Sequence, residues 1–298
     1  MLMSKAKFQK FDRDAIARKA LNGAIAVRSK GKLDQHSPIC IYHLCETLGV
    51  TVRFNNINME GMYERGHQPR IHLSAQRPLP RRKFSCAHEL GHHYFKHGST
   101  IDEMKDRSKE NSWDDPDEFL VDVFAGHLLM PLLGIKHAFS VRGWKPEDAT
   151  AAQLYVVACD FGVGYKTFVT HLAVSLRLIS FSRAEFLKRQ NPKSIRATYL
   201  QELTPNPLIV SDINRVSTTT DAEVGTLLLL PGTCKVDGNG ASFIRDIGER
   251  RLFQAVNTGI WRATTENDLW SAFIRIARKE YVGLAQYRHL EAVEDDEE

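Results

Sequence analysis

Apolar side chains recur at helical spacing through most of the first 180 residues. The pattern predicts helices over residues 12–28, 39–48, 81–97 and about 117–130, each bounded by a capping residue, a glycine or a proline. Residues 50–55 and 69–74 predict strands, the second because Ile71 and Leu73 alternate with Arg70 and His72. Segments 149–161 and 164–178, joined by a short turn with glycine, predict a helix-turn-helix pair.

The pattern changes after residue 188. Charged residues, asparagine and proline replace the periodicity over 188–207, which predicts a domain boundary. Beyond it, residues 208–212, 226–230, 241–247 and 252–257 predict strands, and 268–281 predict a long amphipathic helix. The whole pattern predicts an α+β protein in three parts: a mainly helical domain with a small sheet (1–135), a helical segment (136–190) and an α+β domain (195–298).

The composition is that of an ordinary globular protein, with 43% hydrophobic and 26% charged residues. Residues 1–14 are polar and basic, and the longest apolar run, 154–159, is far too short to cross a bilayer, so a cytoplasmic location is expected. The five cysteines are odd in number and form no C-x-x-C pair. This usage argues against a disulfide framework and against a cysteine-built zinc site.

The charge is unevenly distributed. Residues 1–196 carry 30 basic and 20 acidic side chains, whereas 197–298 carry 10 and 16, including the acidic run 294–298. Basic residues gather before residue 20, at 81–83 and over 177–196, and such surface could neutralise phosphates. Solvated helix faces would have the same composition, so both explanations stay open.

One motif points to specific chemistry: His88-Glu89-Leu90-Gly91-His92 has the H-E-x-x-H pattern. On a helix the two histidines lie one turn apart on one face, so both imidazoles can reach one metal ion. Glu89 is rotated by about 100° from His88 and can act as a general base beside the metal without binding it. The alternative is a pair of ordinary core or surface histidines.

A catalytic zinc usually has three protein ligands, and Glu118 is the predicted third. It opens the next predicted helix, and Asp122 follows one turn along the same face. There Asp122 could accept the remaining ring proton of a metal-binding histidine and fix its tautomer. The alternative is that the acidic residues here merely favour a helix N-terminus. Two histidines and a carboxylate also suit manganese or iron, so zinc is an inference from ligand type.

Two segments carry a resemblance to a known family. The segment 82–92 ends in Ala87-His88-Glu89-Leu90-Gly91-His92, and Glu118 is followed by 122–131, DVFAGHLLMP. Together they resemble the two signature helices of the ImmA/IrrE metallopeptidases, R-x-x-F-x-x-A-H-E-L-G-H and E-x-x-A-[ND]-x-F-A-x-x-L-L-M-P. The departures touch no proposed ligand: Arg81 rather than Arg82 stands three residues before Phe84, Val121 replaces the preferred alanine, and His93 follows the motif.

The resemblance implies a fold and a function. It implies a zincin-like domain over 1–135, a helix-turn-helix-like segment over 136–190 and a GAF-like domain over 195–298. It also implies a gluzincin-like zinc endopeptidase that cleaves a helix-turn-helix transcriptional repressor and so activates a stress, mobile-element or anti-phage response, with single-stranded DNA as an activator. The rival hypothesis is a DNA-binding regulator with a non-catalytic metal site.

Other polar residues near the motif have no single predicted role. The donor that would stabilise the oxyanion is left open among five side chains: Tyr94, His93, His127, Tyr155 and His171. His97 is expected on the face opposite His88, exposed to solvent. Cys86, two residues before His88, is expected to point away from the metal and to have a buried structural role.

Overall fold

The computed structural model describes residues 11–99, 115–215 and 217–290. The helices are α1 (Arg13–Lys30), α2 (Ile41–Thr47), α3 (Leu79–Phe95), α4 (Pro116–Leu129), α5 (Leu132–Ser140), α6 (Ala151–Phe161), α7 (Tyr165–Val174), α8 (Phe181–Lys188) and α9 (Pro192–Leu200). The first seven strands are β1 (Thr51–Asn55), β2 (Gly61–Glu64), β3 (Arg70–Ser74), β4 (Leu208–Val210), β5 (Thr219–Glu223), β6 (Leu227–Pro231) and β7 (Cys234–Val236). The rest are β8 (Ala241–Ile247), β9 (Arg250–Ala255), β10 (Gly259–Thr265), β11 (Ser271–Ala277) and β12 (Gly283–Leu284), before a short 3-10 helix, Ala285–Tyr287. The protein is α+β, as predicted.

The N-terminal sheet has the order β12-β1-β3-β2. Strands β1 and β3 are parallel, with Val52 opposite Ile71, and β2 runs antiparallel to β3 at one edge. The buried side chains of β1 and β3 alternate, so one face of the sheet belongs to the core, as the sequence pattern of β3 predicted. Helix α3 packs against β2 and β3 on this side.

Helices α1, α3 and α4 form the other layer of this core. Asp12 caps α1 by accepting a hydrogen bond from the Ala15 amide at 3.0 Å. At the far end of α1, the buried guanidinium of Arg28 donates to the Leu128 carbonyl at 2.6 Å and to the Asp34 carbonyl at 2.7 Å. The bond to Leu128 fixes α1 to the C-terminal turn of α4, and the bond to Asp34 holds the segment that follows α1.

The predicted helix-turn-helix pair corresponds to α6 and α7. Gly162 ends α6 in the left-handed region with φ 64°, and α7 begins three residues later. Helix α7 buries Phe168, Val169 and Leu172 in the main core. Helix α5 was not predicted, and the proposed boundary segment contains α9.

The strands after residue 207 form two further sheets, with orders β4-β6-β9-β8 and β5-β11-β10-β7. The prediction of a helix over 268–281 is wrong, because strand β11 occupies this segment between β5 and β10. Ala272, Ile274 and Ile276 are buried whereas Phe273 is exposed, which is the alternation of a strand. Other apolar residues of this segment, Leu269, Phe273 and Ile276, have helical spacing, and the pairing with both neighbouring strands favours the strand.

Contacts cross the proposed division into three domains, which stays a prediction. Strand β12, near the C-terminus, pairs with β1 of the N-terminal sheet. Two consecutive residues of α3 form ion pairs with β5: Arg82 with Glu223, and Lys83 with Asp221 at 2.7 Å. The C-terminal strands are therefore joined directly to the helix that carries the H-E-x-x-H motif.

Some sequence predictions fall on residues outside those described. These are the acidic run 294–298 and the basic residues before position 11. Among the described residues, no single helix has the length and apolarity to cross a membrane. Helices α4 and α5, bent by 43°, pass that test of length and composition as a pair.

Candidate metal centre

Helix α3 carries the motif and is buried from Ser85 to His92. Pro78 precedes the helix and Pro80 lies in its first turn, where no amide donor is needed. Lys96 ends it in the left-handed region with φ 61°. Gly91 faces α4, where a Cβ atom would lie 3.0 Å from both Val121 Cβ and Phe124 Cδ1. The absence of a side chain at Gly91 therefore permits the close approach of α3 and α4.

Helix α4 presents the carboxylate. Asp115 is its N-cap and accepts a hydrogen bond from the Asp117 amide at 2.8 Å. This cap places Glu118 in the first turn of α4, where its side chain is 14% exposed and faces both motif histidines. Because Gly91 brings the two helices together, Glu118 reaches across to α3.

Three donor atoms meet between the helices. His88 Nε2 and His92 Nε2 lie 3.2 Å apart, and the Glu118 carboxylate oxygens lie 3.4 Å from the first and 3.5 Å from the second. Donor atoms around a tetrahedral zinc with bonds of about 2.0–2.1 Å lie about 3.3 Å from one another. The observed spacing therefore fits one small divalent cation, and these three side chains could hold it.

Asp122 contacts the ring nitrogen of His88 that points away from His92 and Glu118. Its Oδ1 lies 2.8 Å from His88 Nδ1, so that nitrogen carries a ring proton, and Nε2 faces the other two donor residues. Burial lowers the pKa of His88, but the hydrogen bonds to Asp122 and Glu118 outweigh it and raise the pKa to about 10. The surroundings of His88 therefore favour positive charge at this position.

The structure corrects the prediction for His97. Its side chain is only 17% exposed, and its Nδ1 lies 3.0 Å from His92 Nδ1. The left-handed residue Lys96 reverses the chain after α3, so His97 no longer follows the helical face on which the prediction relied. His97 Nε2 lies 3.6 Å from Asp117 Oδ1, which links His92 through His97 to the start of α4. The sequence contained no signal for this reversal beyond the end of the helical pattern.

Glu89, the predicted general base, directly follows His88 on α3. The residue is 1% exposed and lies on α3 next to the two histidines. Its carboxylate faces the edge strand β2, where a Cβ atom on Gly61 would lie 3.0 Å from Glu89 Oε1. Sequence reasoning missed Gly61, since its role depends on how β2 packs on α3.

Four of the five predicted oxyanion donors are held by other contacts. Tyr155 donates its hydroxyl proton to the Leu208 carbonyl at 2.7 Å, and His171 Nε2 lies 2.9 Å from the Met130 carbonyl. The ring of His127 packs against that of His171, and the ring of Tyr94 stacks on Phe124.

His93 has a partner on β2. Its Nδ1 lies 2.9 Å from the Tyr63 hydroxyl. Burial lowers the pKa of His93, and the nearby positive charge of Lys30 lowers it further. At neutral pH the ring is therefore uncharged, and its contact is with the edge strand beside Glu89.

Cys86 is fully buried, as predicted. Its Sγ lies 3.7 Å from Cys45 Sγ on α2, and burial raises the pKa of the Cys86 thiol well above its usual value. The five cysteines are free thiols. Cys86 therefore packs α3 on α2, away from the three donor atoms.

Comparison with known proteins agrees with this geometry. A search of curated proteins found no significant match to the chain. Residues 45–172 match the peptidase family model described as the IrrE N-terminal-like domain. The matched segment includes α3, α4 and all three donor residues, and it ends before the strands of the C-terminal part, whose GAF-like nature stays a prediction. By this match and by its two signature helices, the segment 45–172 belongs to the ImmA/IrrE family of metallopeptidases.

Proposed function

We propose that the chain is a zinc endopeptidase in which His88, His92 and Glu118 hold the metal and Glu89 is the general base. The convergence of three donor atoms within 3.5 Å of one another supports this proposal most strongly. Two imidazoles and one carboxylate are a ligand set typical of catalytic zinc, which leaves a fourth position for water or substrate.

The chemistry follows from the placement of Glu89. A bound zinc ion would lower the pKa of water toward about 7 and polarise the scissile carbonyl. The Glu89 carboxylate then accepts a proton from the attacking water and transfers it to the leaving amine. Asp122 keeps the His88 ring in one tautomer and orientation throughout, because its hydrogen bond to Nδ1 leaves only Nε2 to face the metal.

The edge strand β2 offers a place for an extended substrate. Among the described residues, β2 pairs only with β3, so its other edge can accept main-chain hydrogen bonds. Gly61, on this strand, faces Glu89, since a Cβ atom added to it would lie 3.0 Å from Glu89 Oε1. A peptide added to this edge would run beside the general base, and the lack of a side chain at Gly61 leaves room for the carboxylate.

The substrate class rests on the family resemblance. We expect a helix-turn-helix repressor, and the gene neighbouring this one is the first candidate to test. Purified chain and repressor would be incubated and the products identified by mass spectrometry. Glu89→Gln should reduce the cleavage rate by about 10²–10⁴-fold while metal content and melting temperature stay unchanged. Glu202→Gln, the same change at an exposed carboxylate that pairs with Arg245 away from α3, α4 and β2, is the matched control and should cleave normally. Equal cleavage by Glu89→Gln and the unchanged protein would contradict the proposal.

Stimulation by single-stranded DNA is part of the proposal and has a separate test. Within the basic run 81–83, Arg82 and Lys83 are buried in ion pairs, so phosphate contacts would have to come from other basic residues. Added single-stranded DNA should raise the cleavage rate, and the increase should fade as salt increases. An unchanged cleavage rate would contradict stimulation by DNA and would leave the proposal of a peptidase unaffected.

The rival hypothesis of a DNA-binding regulator receives little support. The second helix of the predicted pair, α7, buries most of its apolar side chains in the core, whereas a groove-reading helix must present an exposed polar face. If transcription of the regulated genes stayed unchanged in cells that carry Glu89→Gln, the DNA-binding hypothesis would be favoured over the peptidase.

A further inference from the structure

We propose that the cavity between α3, the α6–α7 turn and strands β4 and β5 binds a small organic anion with an apolar body. The cavity measures about 520 Å³. This volume lies within the range of sites for small molecules, and the location between packed segments is typical of them. The walls combine apolar residues from all three segments, among them Leu79, Val163 and Leu208.

The charge of the lining favours an anion. Five basic residues and three acidic residues line the cavity: Arg81, Lys83, Arg196, Arg215 and Arg275, against Asp160, Asp221 and Glu223. Each acidic residue already has a cationic partner. Asp221 pairs with Lys83 and with Arg275, both at 2.7 Å. Asp160 pairs with Arg142 at 2.8 Å, and Glu223 pairs with Arg82. The excess charge in the cavity is therefore positive.

Arg215 is the residue best placed to receive the anion. Its side chain is 2% exposed, and its Nε has no hydrogen-bond partner in the part of the chain that the structure describes. Its terminal nitrogens contact Ser211 Oγ at 3.0 Å and the Thr219 carbonyl at 3.3 Å, and Asp160 lies 3.6 Å away. A buried guanidinium that keeps a free donor is costly unless a further acceptor is supplied. A carboxylate or phosphate in the cavity would supply it.

The N-terminus of α7 lies at the cavity wall. Gly164 precedes this helix, lines the cavity and provides no side-chain cap. The amide groups of an uncapped first turn carry partial positive charge and bind anions. The start of α3 contributes less, because Pro80 has no amide proton and the Arg81 amide donates to the Pro78 carbonyl at 2.9 Å. The start of α7 and Arg215 therefore favour the same ligand chemistry.

The cavity is linked to the metal centre by Lys83. This residue lines the cavity and stands five residues before His88 on the same helix. An anion that attracts Lys83 would weaken its ion pair with Asp221 and loosen the join between α3 and β5. Any effect on cleavage rests on the proposed function, whereas binding itself does not.

Isothermal titration of the full chain with phenyl phosphate tests the proposal. Phenol supplies the apolar body without charge, and inorganic phosphate supplies the charge without the body. Phenyl phosphate should bind at least about tenfold more tightly than either, since both parts of the cavity contribute. Arg215→Met should weaken binding by about tenfold or more, and the exposed Arg189→Met, outside the cavity, should not.

A second variant tests the proposal in case Arg215→Met does not fold. Thr167→Trp leaves every charge in place and fills the cavity from α7. If Arg215→Met fails to give a cooperative melting transition, Thr167→Trp decides alone and should abolish binding. Three results would overturn the proposal. The first is that phenyl phosphate binds no better than phenol or inorganic phosphate. The second is that its affinity is unchanged in every folded cavity variant. The third is that binding is lost in His88→Ala and kept in the cavity variants, which would place the probe at the motif histidines.

Discussion

Replacing Gly91 by alanine tests whether the spacing of α3 and α4 sets the metal site. The added methyl group would lie 3.0 Å from Val121 Cβ and from Phe124 Cδ1, so the helices must separate by a few tenths of an ångström. Overpacking of this kind costs about 1–3 kcal/mol. The higher helix propensity of alanine offsets up to about 1 kcal/mol. The expected net loss in the free energy of unfolding is therefore about 1 kcal/mol.

The expected effect of Gly91→Ala on zinc affinity is larger than its small effect on stability suggests. His88 and His92 lie on α3 and Glu118 on α4, so separation lengthens both contacts that join them, now 3.4 and 3.5 Å. We expect zinc affinity to fall by about tenfold, the lower end of the effect of changes beside the ligands. Titration against a chromogenic chelator measures this affinity, and thermal unfolding measures the stability.

The matched control is Gly98→Ala, because a Cβ atom there would meet nothing within 4 Å. It should leave both measurements unchanged. If Gly91→Ala melted at a higher temperature and bound zinc as tightly as the unchanged protein, α3 and α4 would not be in the close contact described, and the argument would fail.

Two further predictions follow from the surroundings of individual residues. Asp122→Asn removes the charge that holds His88 Nδ1–H and should reduce zinc affinity by about 10–100-fold without unfolding the protein. Competition titration with a chelator measures this affinity, and an unchanged value would contradict the role given to Asp122. Burial lowers the pKa of His127 to about 4 and of His171 to about 3. Both histidines therefore favour the folded state fully when the pH is above the unfolded pKa of about 6.5. As the pH falls below that value, the unfolded state binds protons that the folded state does not bind. The free energy of unfolding then decreases, by about 2 kcal/mol for each histidine at pH 5. His127→Phe should flatten the fall in melting temperature between pH 7.5 and 5, and an equally steep fall would show that His127 is not a buried neutral group.

The sequence predicted that the donor residues lie close together, because most of their geometry is local. The H-E-x-x-H spacing fixes His88 and His92 on one helical face. Glu118 and Asp122 are likewise one turn apart on α4. Only the meeting of the two helices is a tertiary event, and the signature motifs indicated it. The donor atoms lie together as predicted, whereas the catalytic roles stay predictions.

The predictions that were wrong depended on contacts distant in sequence. His97 was expected on the exposed side of a continuing helix, but Lys96 reverses the chain and returns His97 to His92. Residues 271–277 form a strand because β5 and β10 pair with both edges, which a single amphipathic pattern cannot reveal. The cavity that we propose binds an anion combines α3 with residues as late as Arg275, so no local pattern could have predicted it.

Metal analysis of the purified chain tests the central claim most directly. Element-specific mass spectrometry should find about one zinc ion per chain in the unchanged protein and in Glu89→Gln. Glu118→Ala and His92→Ala, each folded by thermal melting, should retain little zinc after dialysis against a weak chelator. Full zinc content in both of these variants, or none in the unchanged protein after growth with ample zinc, would contradict the claim that these side chains hold a catalytic metal.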